Sequence, residues 1–509
     1  MSPIPIIDAF AQFESAQGQL AVAVDTFYDA CVALYQAAVR PEDDDADHSW
    51  LEKKLAPMVD QLNSFAAVEG KLRRSLGVLN RATNASRKLV PINLLPVEVL
   101  SKVFMYTIPQ RDCIDTIDVY PRLSPLIVIP SVCASWRQVA LNTPSLWTHI
   151  DLFKEDHPST KNRITLWVQR ARHAPVHLHF KSYRFFEDEE LVSETKGILT
   201  RAKSFVFSYS PEGYIRDIFN HYDASGRSDR LKVIAIGPVA WRNEDFGHFH
   251  WSSYVPHTLT TLKLVYTSDR ITPSLDELMA LLSRTPNLRT LALRDVRLTM
   301  NPSSTYPEIS LPNLEYFESY PNNSPRPSYS NFTKHLMRSI VPGSRELEVW
   351  VDVGSFDDGE HDLELRRFLR RSRVTCWHTG YFKPGDEVRL SQYLDHLPEL
   401  RFLSLDFNRD PSHDILDALI APVEGPGYRA RCPMLRTLRL SQGDINSQGQ
   451  VQLKRVVDCH SITRLILGDS VRFVDEFGRR CDDKEILDWL HARVLAVESS
   501  GVTWFELSA

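Results

Sequence analysis

A short template recurs through the C-terminal two thirds of the chain, and it limits the fold more than any other feature. It reads Thr-Leu-Lys-Leu at 261–264, Pro-Asn-Leu-Arg-Thr-Leu-Ala-Leu at 286–293 and Pro-Asn-Leu-Glu-Tyr-Phe at 312–317. It returns as Pro-Glu-Leu-Arg-Phe-Leu-Ser-Leu at 398–405, Pro-Met-Leu-Arg-Thr-Leu-Arg-Leu at 433–440 and Ser-Ile-Thr-Arg-Leu-Ile-Leu at 461–467. Alternate apolar positions give a short strand with one face in a core. Further strand-like pieces lie at 176–180, 205–209, 231–236 and 347–351, and helical pieces at 275–283, 363–371 and 415–420.

A helix followed by a strand, repeated every ~25–35 residues, is how leucine-rich repeats read. Aligning Leu291 with Phe317 and Leu438 with Leu465 gives gaps of 26 and 27 residues. Segment 151–509 therefore resembles a divergent leucine-rich-repeat solenoid, with insertions near 301–310, 321–345 and 352–362. Some other α/β layering is the alternative.

Residues 1–90 read differently. Phe10, Phe13, Leu20, Val24, Phe27, Cys31 and Leu34 fall three and four apart, with Gln17 in one slot. Leu51, Leu55, Met58, Leu62, Phe65, Leu72, Leu76 and Leu79 repeat this, with Glu69 in one slot. The spacing is the seam of a coiled-coil helix, and it predicts an α-helical hairpin joined by the acidic stretch after Pro41. Plain core helices and a self-associating coiled coil both satisfy it. Pro57 should start or bend the second helix. Asp43, Asp45 and Asp47 begin like a calcium loop, but His48 and Lys54 occupy its glycine and glutamate positions, so a solvated charge run is the reading.

Residues 91–150 predict a small three-helix unit. Asn93 can cap, Pro96 suits a first turn, and Val99, Leu100, Val103 and Phe104 share a helical face. Val132, Trp136, Val139 and Ala140 share another. So small a unit carries more apolar surface than it can bury alone, which suggests a partner surface or a cap on the repeats. The ordered pieces Leu95-Pro96-x-Glu98-Val99-Leu100-x-x-Val103-Phe104, Val132-Cys133-x-x-Trp136-Arg137-x-Val139-Ala140 and Leu146-Trp147 resemble the F-box family, in its fungal F-box-like form. The link at 107–124 is longer than the family's compact form, and the N-terminal hairpin lies outside its pattern.

The resemblance implies an adaptor and no enzyme. An F-box would bind the Skp-type adaptor of a cullin ubiquitin ligase through Leu95, Pro96, Val99, Leu100, Val103, Val132, Cys133 and Trp136, some of which, Trp136 above all, could instead be core. The repeats would hold an unknown protein substrate for degradation. A repeat-based scaffold acting outside the ligase is the alternative. For substrate contact the candidates are Trp241, Phe246, Phe249, Trp251 and Tyr254, aromatics crowded into a loop-like stretch that could equally plug onto the solenoid.

Composition narrows the remaining classes. A net charge of −6 gives no reason to expect nucleic acid. The seven cysteines form no C-x-x-C pair, so neither a zinc site nor a disulfide framework is indicated. No secretory start and no run of ~18 apolar residues is present, which points to the cytoplasm or nucleus and away from a membrane. There is no phosphate loop, nucleophile elbow or H-E-x-x-H motif, and no cofactor is expected. His177 and His179 share a strand face near His173 without a third metal ligand in view. The arginines at 366, 367, 370, 371 and 373 read as a solvated helix face.

Overall fold

The computed structural model describes the chain except for residues 1–5, 40–47, 86–89, 108–124, 153–158, 182–196, 225–229, 241–248, 250, 269, 302–304, 321–331, 354–358, 381, 383–384, 408–412, 424–426, 469, 476–478, 481–483 and 501–509. It divides into two compact units, residues 1–94 and 95–509.

In the first unit, α1 spans Ile6–Val39 and α2 spans His48–Ala85. The Phe27 and Phe65 rings meet at 5.0 Å. The predicted hairpin helices form, but α2 runs unbroken through Pro57. Much of the apolar seam stays open to solvent: Phe10, Val24 and Leu76 are more than half exposed. Asn93 lies within a short 3-10 turn, Pro91–Leu94, and its N–H bonds the Val90 carbonyl. It lies inside that turn, four residues before Val97, and not at the position directly preceding the next helix.

The second unit opens with α3 (Val97–Thr107), α4 (Pro125–Val132) and α5 (Ala134–Leu141). Thirteen strands follow: β1 His149–Leu152, β2 Val176–Lys181, β3 Ala202–Ser208, β4 Val233–Ile236, β5 Thr261–Val265, β6 Thr290–Arg294, β7 Tyr316–Tyr320, β8 Leu347–Trp350, β9 Val374–Gly380, β10 Phe402–Asp406, β11 Thr437–Ser441, β12 Arg464–Gly468 and β13 Ala496–Ser500. They form one sheet in unbroken chain order. Each neighbouring pair is parallel. A parallel sheet whose strand order follows the chain is a stack of repeats, each touching the next.

Register makes the repeat explicit. Leu262, Leu291, Phe317, Val349, Trp377, Leu403, Leu438 and Leu465 line up across consecutive strands. All are fully buried. The two gaps read from the sequence, Leu291 to Phe317 and Leu438 to Leu465, are true register pairs. Helices cover this core face: Phe317 meets Phe368, and Trp377 meets Tyr393 edge-on. Intervening side chains form the opposite, open face of the sheet.

Two expectations need correction. Strands β1, β9 and β13 carry no leucine template, so the sequence pattern passed over them. Segment 321–345 is not a plain insertion: helix Phe332–Ser339 and a short strand, Ile340–Pro342, lie in it and belong to the repeat. The acidic stretch at 41–47 and most of the 107–124 link lie outside the described residues.

A common corner ends four strands. Tyr209, Tyr266, Asp295 and Gln442, each the residue after its strand, have φ of 54°, 50°, 51° and 53°. This left-handed conformation costs an ordinary side chain about 1–2 kcal/mol, less for Asp. Burial pushes the Asp295 carboxyl up to about 6, against the downward pull of the Tyr266 hydroxyl and Arg294. A carboxyl raised in the folded state favours folding in its protonated form. That contribution is complete below about pH 4, fades as pH rises through about 6, and is absent above it. Asp295→Asn, which mimics the protonated acid and tolerates the left-handed corner, should therefore raise the melting temperature at pH 8 and change it little near pH 4. Equal shifts at both values would mean that the carboxyl is solvated.

Candidate functional site

Two surfaces of the second unit have the character of binding sites. The first is the three-helix segment. Its helix α3 begins after Pro96, whose carbonyl accepts the Val99 and Leu100 N–H groups at 3.0 and 2.9 Å. Leu100 and Phe104 point into the core, while Val97 and Val99 are exposed. The apolar face expected for α3 is thus split, because neighbouring positions on a helix turn about 100° apart. Phe104 packs against the Trp136 ring at 4.9 Å. Leu100 is therefore internal rather than open to an adaptor, and Trp136 is a half-buried link between α3 and α5.

Cys133 is the N-cap of α5, its sulfur accepting the Trp136 N–H at 3.4 Å. Leu95, Pro96, Val99 and Val132 remain exposed, and Val103 is half-buried. Ile127 and Val128 on α4, which sequence reasoning did not single out, are about half exposed. Consecutive apolar residues at 126–129 hid which of them faced outward.

Another side of this segment is anchored. Trp147 is 1% exposed, and its indole N–H donates to the Ala140 carbonyl at 2.8 Å. Trp167, on the first helix of the repeats, meets it edge-on at 5.9 Å, and Arg170 lies over its face. The segment thus caps the solenoid and presents apolar residues to solvent as well.

Residues 92–153 match the F-box-like family. The F-box-like segment thus covers α3 to α5, the Leu146-Trp147 anchor and β1. No curated protein matches the chain by sequence. Among solved structures, the leucine-rich repeat-containing protein LegL7 from Legionella pneumophila is similar at 12% identity and a TM-score of 0.27, over 68% of this chain and 97% of that one. The repeat architecture rests on the strand order and register themselves. An F-box-like segment followed by repeats describes a protein-interaction adaptor. Among the described residues, no helix is long and apolar enough to cross a membrane.

The second surface is the open face of the sheet. Two rows of side chains cross it. One runs Thr261, Thr290, Tyr316, Glu348, Cys376, Phe402, Thr437, all half-buried. The other runs Lys263, Ala292, Glu318, Trp350, His378, Ser404, Arg439, and is buried from Ala292 onward. Arg294 and Glu318 form an ion pair at 2.6 Å, with side-chain exposures of 15% and 3%. The Tyr316 hydroxyl donates to the same carboxylate at 3.0 Å. Burial alone would lower the Arg294 guanidinium, but Glu318 reverses this and raises it. Trp350 stacks on His378 with ring centres 3.7 Å apart.

The aromatic loop candidates for substrate contact fare otherwise. Trp241 and Phe246 lie outside the described residues. Phe249 and Trp251 are buried, and the Trp251 N–H donates to the Ile271 carbonyl at 2.6 Å. Phe249 and Tyr254 pack on Phe219 at 5.3 and 5.5 Å. These three plug a gap between helices, so Phe249 and Trp251 are core and not contact residues.

The arginine cluster is not a free basic face either. Arg367 and Arg338 both reach Glu364, Arg373 reaches Glu399 at 2.8 Å, and Arg371 donates to the Ile340 carbonyl at 2.7 Å. The Arg338, Arg371 and Arg373 ties join adjacent repeats, and the Arg367 tie lies within its own helix. At β1 and β2, His179 bonds Asp151 at 2.8 Å and His177 bonds Ser204 at 2.9 Å, while the His149 and His177 rings stack at 4.4 Å.

Proposed function

We propose that this chain is a substrate receptor of a Skp–cullin–F-box ubiquitin ligase. The observation that carries the reading is the F-box-like segment at 92–153, anchored by Trp147 while Leu95, Pro96, Val99 and Val132 stay exposed. Its apolar residues would bind a Skp-type adaptor, and a cullin through it. The open sheet face would hold the target protein. The chain would perform no chemistry itself, and would act in the cytoplasm or nucleus.

Capture of the Skp adaptor by the tagged full-length protein tests this. Leu95→Asp with Pro96→Ala should weaken capture about 30-fold or more, the scale of losing an interface anchor. It should leave the circular dichroism unchanged, because the backbone carbonyl that starts α3 survives. Undiminished capture by this variant would overturn the residue assignment, and no capture by the parent would remove the ligase reading.

The open seam of α1 and α2 supports self-association as a second property. Light scattering should then give a mass above one chain, falling to one chain when residues 1–88 are deleted. A single-chain mass for the full protein would end that idea.

A further inference from the structure

Strands β8 and β9 bring together three side chains of different donor chemistry. Glu348 sits opposite Cys376 in register, and His378 follows two residues later on the same face. The His378 Nε2 atom lies 3.2 Å from the Cys376 sulfur and 3.2 Å from the Glu348 Oε1 atom. One donor atom from each residue falls within 4.8 Å of the others. This trio is the one such group among the described residues.

The spacing fits a small tetrahedral ion. Zinc holds sulfur at about 2.3 Å and nitrogen or oxygen at about 2.0–2.1 Å, which separates neighbouring ligand atoms by roughly 3.3–3.6 Å. The two observed separations need to widen by only a few tenths of an ångström. Charge also balances: a thiolate, a carboxylate and a neutral imidazole with a divalent ion make a neutral centre, the cheapest kind to bury. Calcium and magnesium are excluded by the sulfur and nitrogen donors, since both prefer oxygen.

The surroundings are built to hold these ligands. Trp350 does two things at once: its indole lies flat on the His378 ring, and its N–H donates to Glu348 Oε1 at 2.8 Å. It thereby orients both an imidazole and a carboxylate, as outer partners of metal ligands do. Phe402 packs on the other flank of His378 at 5.0 Å. Lys263 and Arg439 are the nearby cations, acting on Glu348 and His378 respectively, and they work against a bound ion.

The geometry points to a zinc site on the open face of the sheet, with Glu348, Cys376 and His378 as its protein ligands and a fourth position left for water or a donor group of a bound molecule. Burial keeps the Cys376 thiol protonated when no ion is present. Binding therefore exchanges that proton for the metal.

The test uses the full-length protein, stripped with chelator and kept reduced, titrated with cobalt(II) as a spectroscopic stand-in. We expect a thiolate-to-cobalt charge-transfer absorption that saturates at one equivalent and is abolished by one equivalent of zinc. Cys376→Ser should lose the band. Trp350→Phe, which keeps the ring but not the N–H, should weaken affinity about 10–100-fold. No band in the parent protein overturns the site. So does a band of equal strength in a Cys376→Ser protein with unchanged circular dichroism, since Cys31 and Cys133 are also free thiols. Should Cys376→Ser not fold, Glu348→Gln replaces it, keeping size and hydrogen bonding. An unchanged titration there is equally fatal.

Discussion

Replacing Trp147 with alanine should destabilise the F-box-like segment and the first repeats by about 3–5 kcal/mol, the usual loss for removing a buried tryptophan. The side chain is 1% exposed and touches three different partners: the Ala140 carbonyl, the Trp167 ring and the Arg170 guanidinium. Alanine leaves a cavity where α5 meets the repeats. A domain has only about 5–15 kcal/mol of net stability, so this is a large share. Trp147→Phe keeps most of the apolar area and loses the indole N–H, and should cost far less. Denaturant midpoints of the two variants check the ranking. A loss under 1 kcal/mol for the alanine variant would show that Trp147 is not an anchor.

The second large effect is expected at Arg294. Its guanidinium is the cationic partner of Glu318, whose side chain is 3% exposed. Arg294→Met leaves that carboxylate buried with the Tyr316 hydroxyl as its remaining strong donor. Breaking one side of a buried pair costs about 3–5 kcal/mol, whereas replacing both sides with apolar groups is often close to neutral. Arg294→Met should therefore be severely destabilised at pH 7, and Arg294→Met with Glu318→Leu should recover most of the loss. In the single variant the stranded carboxyl would gain a raised folded-state value. Its deficit relative to the parent should then shrink as pH falls toward about 4, where the acid is protonated in both states. A single variant no worse than the double one would mean that Glu318 finds other partners.

Much of this architecture is legible in the sequence. Leu262, Leu291, Leu403, Leu438 and Leu465 announce their strands because alternation with a branched apolar residue is a strong local signal. Strand β9 escaped notice because a tryptophan stands at its core position, amid Thr, Cys and His, with no leucine in the strand. The Glu348–Cys376–His378 trio was hidden because Glu348 lies one repeat before Cys376 and His378, and only the register of β8 against β9 joins them.

The three-helix segment shows another limit. Spacing placed Val99 and Leu100 on one face, yet one is exposed and the other is core. Helical periodicity resolves a face no finer than the angle between neighbouring residues. Phe249 and Trp251 illustrate the converse. Aromatic density on a loop reads alike whether the rings face water or fill a gap, and only packing tells them apart.

Strand order carries one last consequence. Every interior strand of the sheet bonds only to the one before and the one after it in the chain. Cooperativity in such a stack passes chiefly from neighbour to neighbour, as along a row of dominoes, although side-chain ties such as Arg401 to Glu346 and Ser268 to Glu212 reach past one strand. A weakened middle repeat, such as the one holding Arg294, should act as a fault line. Amide hydrogen exchange would then separate the sheet into two blocks that open with different free energies, one towards β1 and one towards β13.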